Sequence, residues 1–375
     1  MKNRVVCLIT VLLIGIIAFS LIGCSKDPLD MDTNYDISFD DLGVAPAAAV
    51  TDTVTSVDES KIIKLNEEND ELTNDKDVLE TISYLYNLAN ENLMAVDYYA
   101  SIAFGKAQVL IGDKLDSYAY SREYIVKDGD VWFFQNYTYD PTASKIVKNI
   151  MESSEERYTS DGGETIYKRH GGSESLKDSC IEEFLTGSPI IYDKMAKSGK
   201  KHAPKIYTEE TYNEFRHVRI RYDEIDNALI TADTLVNGKV TYNEEKGLYT
   251  IEFNVDISNE SEALEKGRQN LSAAGGTSVY YEKQHQVIEI WNSGLFCSYH
   301  TDNLWRGKFA MVVYGSANDY QKWFTYNKEN VKKLVIPQDT SWTDNCSEDE
   351  SDWLFFFDFK SASYRVQQLY KSWNL

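Results

Sequence analysis

From position 249 to 256 apolar and polar residues alternate without a fault: Tyr249, Ile251, Phe253 and Val255 against Thr250, Glu252, Asn254 and Asp256. Successive side chains of a strand point to opposite faces, so this segment must lie in a sheet with one face buried and the other wet. Strands of parallel sheets are covered on both faces and read as continuous apolar runs, so the alternation selects an antiparallel sheet. The same period of two recurs at 98–110, 117–126 and 131–139, and Asp128-Gly129 between the last two marks a tight hairpin. A second hairpin is expected where 155–159 and 165–169 flank Asp161-Gly162-Gly163. Further strands are predicted at 228–236, 240–242, 277–282, 286–291, 295–300, 308–314 and 322–325, with Asn237-Gly238 as punctuation between the first two.

Helical spacing appears in fewer places. Val78, Ile82, Leu85 and Leu88 or Ala89 share one helix face, continuing to Leu93. Shorter helical pieces are predicted from Pro141 (Ile146, Val147, Ile150 and Met151 on one side), at 178–186, 207–215 and 260–273, and near the end at 362–373. Regular β-α-β alternation is missing, which disfavours nucleotide-binding and periplasmic-binding-protein folds. The expected class is α+β, with a curved antiparallel sheet or sheets packed against a few helices. The order helix, strands, helix, strands occurs around 78–170 and again around 207–315. It allows two related modules, 77–200 and 201–375, or one composite sheet.

The chain starts with Lys2 and Arg4, continues with an almost wholly apolar run at 5–22, and closes that run with Leu21-Ile22-Gly23-Cys24. This is the layout of an export signal. Leu21-Ile22-Gly23-Cys24 resembles the lipobox of bacterial lipoproteins. The resemblance implies that residues 1–23 are a signal peptide cleaved between Gly23 and Cys24, and that the Cys24 thiol carries the lipid. Polar Ser25-Lys26-Asp27-Pro28 follows at once, which argues against a plain spanning helix. Two or more acyl chains such as palmitate bury enough methylenes, at ~0.8 kcal/mol each, to hold a protein on a membrane without help from its charge. Ser25 is not the Asp associated with inner-membrane retention in two-membrane bacteria. The expected location is therefore the outer face of the cytoplasmic membrane, in a Gram-positive host.

Charge agrees with a lipid as the anchor. The 60 acidic and 38 basic residues give a net charge of −22, which repels phosphate backbones and anionic headgroups and excludes nucleic acid as a partner. Sixteen acidic and four basic residues fall between 24 and 80, a local balance of −12. With Pro28, Pro46 and only Tyr35 and Phe39 as aromatics, residues 24–76 read as a disordered, self-repelling tether. Residues 81–375, with 32 basic and 44 acidic residues, are only mildly acidic, so their charge points to no cationic substrate.

No motif of catalysis or cofactor binding stands out. His170, His202, His217, His285 and His300 show no metal-pair spacing, no G-x-S-x-G occurs, and the Gly-Gly pairs lack the context of a phosphate loop. Cys297 and His300, three apart on one predicted strand, fall on opposite faces, which disfavours a nucleophile–base dyad. Cys180, Cys297 and Cys346 allow one disulfide with a free thiol, or three unpaired cysteines. Asp344, Glu348, Asp349, Glu350 and Asp352 form an acidic loop without the calcium-loop pattern, so a solvated loop is expected. The aromatic excess of 7 Trp, 26 Tyr and 15 Phe leaves Trp291, Trp305 and Trp323 as candidate ligand or surface aromatics, against the ordinary preference of strands for such residues.

An exported lipoprotein with an opening helix, long half-buried strands and a helix returning across them is similar, in element order, to the LolA-like half-barrels. That likeness implies a curved sheet around helices, holding acyl chains or another apolar ligand in the gap. The expectation is a non-enzymatic, membrane-anchored extracytoplasmic protein, without a cofactor, that binds a hydrophobic or amphiphilic ligand or an envelope partner. The alternative is a cell-wall carbohydrate or protein interaction module working through exposed aromatics.

Overall fold

The computed structural model describes residues 54–139, 153–170, 200–202, 230–273, 276–309, 311–326 and 340–348. The signal peptide with Gly23 and Cys24, the helices predicted from Pro141 and at 178–186, 207–215 and 362–373, Cys180, and residues 349–352 of the acidic loop lie outside the described residues.

The α+β class expected from the alternation is what the structure shows: a large curved, unclosed sheet with, among the described residues, two α-helices. Helix α1 is Lys76–Ala95. Strands β1 (Tyr98–Ile111), β2 (Lys114–Asp128), β3 (Val131–Tyr139), β4 (Ser153–Thr159), β5 (Ile166–His170) and β6 (Lys200–His202) run outward from the middle of the sheet. The second run, β7 (Leu235–Asn243), β8 (Leu248–Val255), helix α2 (Glu265–Ala273), β9 (Gly276–Trp291), β10 (Phe296–Phe309) and β11 (Val312–Thr325), returns from the opposite edge. β1 and β11 pair antiparallel from Ala100↔Thr325 to Ile111↔Tyr314, which fuses the two runs into one twelve-stranded sheet. A two-residue strand, β12 (Ser347–Glu348), adds to β6 in parallel, and Lys201 and Glu348 form an exposed ion pair across it at 3.0 Å.

Helix α1 forms where its periodicity put it. Asp75 caps its N-terminus by accepting from the Asp77 amide at 3.0 Å, and Lys64 holds the same carboxylate at 2.6 Å. These bonds, Lys64's first, hold Asp75 below the usual carboxylate range. The helix lays Val78, Ile82, Leu85, Tyr86, Ala89 and Leu93 against the inner face of the sheet. There they meet Tyr99, Ile125, Phe134, Ile251, Phe253, Ile288, Phe296 and Phe324. Tyr86 sits edge-on to both Phe253 and Phe296 at 6.2 Å, and Phe296 stacks on Phe324 at 5.4 Å.

Three expectations need correction. Asn237-Gly238 does not separate two strands: it is a bulge inside β7, with Asn237 at φ 54 and the register shifting between Val236 and Lys239. A β-carbon on Gly238 would stand 2.5 Å from Ile82 Cδ1 and 2.7 Å from Leu79 Cδ2, so this position is where α1 lies directly on backbone. The five short strands predicted between 277 and 325 are three long ones, β9, β10 and β11, of 16, 14 and 14 residues. At ~3.3 Å per residue each spans about 45–55 Å.

The third correction concerns residues 54–75, expected within the disordered tether but held on the body. Val54, Val57 and Ile62 pack on the core, and residues 54–75 strap along α1 to the β7 edge. Asn92 bonds both the amide and the carbonyl of Thr55, Thr81 Oγ1 accepts from Ile63, and Asn66 bonds both polar groups of Val240. Thr73 and Gly238 bridge. The strap thus satisfies an edge that would otherwise offer unpaired backbone groups.

Candidate functional site on the inner face

The inner face changes character along the long strands. Under α1 it is apolar; farther along β9, β10 and β11 the residues with the same inward register are Gln286, Gln284, Thr301, Asn303, Tyr320 and Asn318. Gln286, Gln284, Thr301, Asn303 and Tyr320 are all buried, whereas the neighbours His285, His300, Asp302 and Asp319 on the outer face are not. Gln284, Gln286, Thr301 and Asn303 are therefore inside the fold.

Most of these groups are answered by other side chains. Tyr299 donates to Gln286 Oε1 at 2.8 Å, Asn318 Nδ2 donates to Asn303 Oδ1 at 2.8 Å, and Ser316 donates to Asn318 Oδ1 at 3.0 Å. At the β1 side of the row Lys322 pairs with Glu123 at 2.5 Å, and Tyr320 donates to the same carboxylate at 3.0 Å. The Lys322 ammonium also lies over the Tyr320 and Phe324 rings, at 5.8 and 5.9 Å. Two groups stand apart: Gln286 Nε2 and Thr301 Oγ1, on residues 0% and 5% exposed, have no hydrogen-bond partner. Leaving a buried donor unpaired costs ~1–3 kcal/mol, so two on directly opposed residues are a local expense that packing alone does not explain.

In the polar row Lys322 and Glu123 neutralise each other, and among the described residues no group of three or more His, Cys, Asp or Glu could hold a metal ion. Burial pushes the Cys297 thiol up to about 12, which removes it as a nucleophile at neutral pH. His300 lies on the outer face beside Asp319 at 3.1 Å, and His285 contacts Asn254 at 3.2 Å and Glu252 at 3.4 Å. Burial holds His285 below its ordinary value.

The three tryptophans do not form a common surface. Trp305, 8% exposed, belongs to the core on the inner face, opposite Tyr281 and Ser316, so it is not a surface platform. Trp323 alternates to the other face of β11, and half-buried Trp291 ends β9. Of the acidic loop, Asp344 is exposed and Glu348 is taken up by Lys201. The residues that the sequence reading missed are the inward amides and hydroxyls. Their one signal is a polar run, such as Glu282 to Gln286, uninterrupted by Gly or Pro between two strand patterns.

No described helix is long and apolar enough to cross a membrane. No family model and no curated protein matches the chain. Among solved structures, the crystal structure of Neisserial surface protein A (NspA) aligns at 6% identity and a TM-score of 0.14, over 60% of this chain and 96% of that one.

Proposed function

We propose that the chain is an exported, lipid-anchored binding protein of the bacterial envelope, non-enzymatic, that takes its ligand on the inner face of the curved sheet. The lipobox Leu21-Ile22-Gly23-Cys24 supports the anchor, with the lipid on Cys24 holding the protein at the outer face of the cytoplasmic membrane of a Gram-positive host. The observation that carries the binding reading is the division of the inner face. The apolar half is filled by the protein's own helix α1, and the other half is a buried polar row with two unpaired donors. Among the described residues a wholly apolar ligand finds no complementary surface there, so the ligand is amphiphilic or polar.

Two measurements test this. Metabolic labelling with palmitate should mark the wild type and leave Cys24→Ala unlabelled; an unlabelled wild type overturns the anchor. Native mass spectrometry of the protein purified from its own host should show an adduct that denaturation releases, and a bare polypeptide mass counts against a ligand-holding interior.

A further inference from the structure

Six large apolar side chains are exposed among the described residues, and three of them belong to the strap: Ile63 at 52%, Leu65 at 42% and Leu72 at 38%. The other three, Ile257, Tyr280 and Met311, lie apart, after β8, in β9 and ahead of β11. The strap residues are neighbours. Ile63, whose amide donates to Thr81 Oγ1 at 3.1 Å, stands two residues from Leu65, at most ~7 Å along the chain. Leu65 precedes Asn66, whose amide donates to the Val240 carbonyl at 2.7 Å, and Leu72 precedes Thr73, which exchanges backbone bonds with Gly238 at 2.9 and 2.7 Å. Gly238 and Val240 are two residues apart on β7, so both leucines adjoin the same short stretch of sheet edge. A segment that only closed this edge would need apolar residues on its inner side alone, and Val54, Val57 and Ile62 already serve there. We propose that Ile63, Leu65 and Leu72, with the 67–71 loop between the leucines, are a docking surface for a cationic partner protein, which lays a basic segment bearing apolar side chains along the strap.

Charge selects the occupant. Glu67, Glu68, Asp70 and Glu71 crowd the loop between Leu65 and Leu72, and their carboxylates form no ion pair among the described residues. Lys239 reaches the loop but donates to the Glu68 carbonyl. Four carboxylates held this close repel one another, and a cationic surface relieves that repulsion as it docks. The same charge turns away two other occupants. An anionic lipid surface attracts basic segments and is repelled by this one. A second copy that docked patch to patch would set the same carboxylates face to face, because a two-fold interface pairs each surface with itself. Charge steers and selects, and the three aliphatic side chains supply the apolar area that leaves water when the partner is seated.

The test uses the full chain in phosphatidylcholine nanodiscs, titrated calorimetrically with synthetic decapeptides and with empty nanodiscs as the blank. A peptide of alternating lysine and leucine should bind saturably, oligolysine about tenfold more weakly, and a peptide of alternating glutamate and leucine not at all. The triple variant Ile63→Ser, Leu65→Ser, Leu72→Ser should weaken the lysine–leucine peptide about tenfold or more and leave the melting temperature of the free protein unchanged, since all three side chains are exposed. The triple variant Glu67→Gln, Glu68→Gln, Glu71→Gln should weaken it as well and flatten its salt dependence. The proposal is overturned if the lysine–leucine peptide does not bind, if the serine variant binds it as wild type does, or if that variant melts several degrees lower, which would place the three residues in the protein's own packing. Two further results overturn the cationic partner by naming another occupant. A dimer in sedimentation that the serine variant abolishes assigns the patch to a second copy, and binding to phosphatidylglycerol vesicles that the variant loses assigns it to lipid.

Discussion

Tyr320 on β11 and Glu123 on β2 are hydrogen-bonded at 3.0 Å although β1 runs between their strands. The reach is possible because β1 presents only Ala103 and Gly105 inward at that level, opposite Lys322 and Tyr320 on one side and Glu123 on the other. The long side chains close over the small ones and bury them. Three strands at the seam of the two runs are thereby tied from above as well as through their ladders.

That tie includes a buried ion pair, which responds differently to the loss of one charge and to the loss of both. Glu123→Leu leaves the Lys322 ammonium buried without its partner, and Lys322→Met does the same to the carboxylate, so each alone should cost ~3–5 kcal/mol. The double variant removes both charges and should lie within ~2 kcal/mol of wild type. Denaturant unfolding of all four proteins checks this. Additive losses would mean that the two charges are stabilised independently.

Gly238 makes the sharpest steric prediction. Helix α1 approaches its backbone so closely that a β-carbon would press on Ile82 and Leu79, both in the core. Gly238→Ala should therefore destabilise by ~1–3 kcal/mol, the usual cost of overpacking. Ile82→Val in the same chain should recover part of it by removing the methyl nearest the clash. Recovery is read from the shift in denaturation midpoint, and the absence of any loss in Gly238→Ala would contradict the packing.

How far the sequence foretold this depends on which face a residue serves. Helix α1 and β8 were legible because Val78, Ile82, Leu85 and then Tyr249, Ile251, Phe253 all face one apolar core. β9 to β11 were read as fragments because Gln284, Gln286, Thr301 and Asn303 point inward yet are polar, so the alternation disappears where the strand continues. The same fact hid the candidate site: an inward Gln and an outward Gln are identical in a sequence. The strap was missed because its acidic composition outweighed three apolar anchors, Val54, Val57 and Ile62, and its hold on the body is mainly hydrogen bonding.

The strap's main fastener is Asn92. Its side chain accepts from the Thr55 amide at 2.9 Å and donates to the carbonyls of Thr55 and Gly294, each at 2.8 Å, from a buried position. Asn92→Leu should cost ~1–3 kcal/mol through the partners left unpaired. It should also release the segment ahead of residue 58, seen as faster proteolysis and faster amide exchange at 54–57 than in the rest of the body. Unchanged exchange at those residues would show that packing of Val54 and Val57 suffices.

Lys127 predicts a stability that depends on pH. Its ammonium donates to the Met94 carbonyl near the end of α1, and burial lowers its pKa from an ordinary 10.5 to about 8, against the opposing pull of Asp97 and Asp130. Between those two values the unfolded chain binds the proton that the folded chain has released, so unfolding free energy from this group rises with pH. Tyr98 works the other way, since burial raises its pKa above the ordinary 10.0 and its contribution is lost at higher pH still. Cys297, whose thiol burial raises from an ordinary 9.0 to about 12, also opposes it above pH 9, so the Lys127 effect is isolated from about pH 8 to about pH 9. Lys127→Met should remove this rise: the difference in unfolding free energy between wild type and variant, measured by urea denaturation, should move in favour of wild type across that window. A difference that stays constant with pH would show that the ammonium is as well solvated in the folded protein as in the unfolded chain.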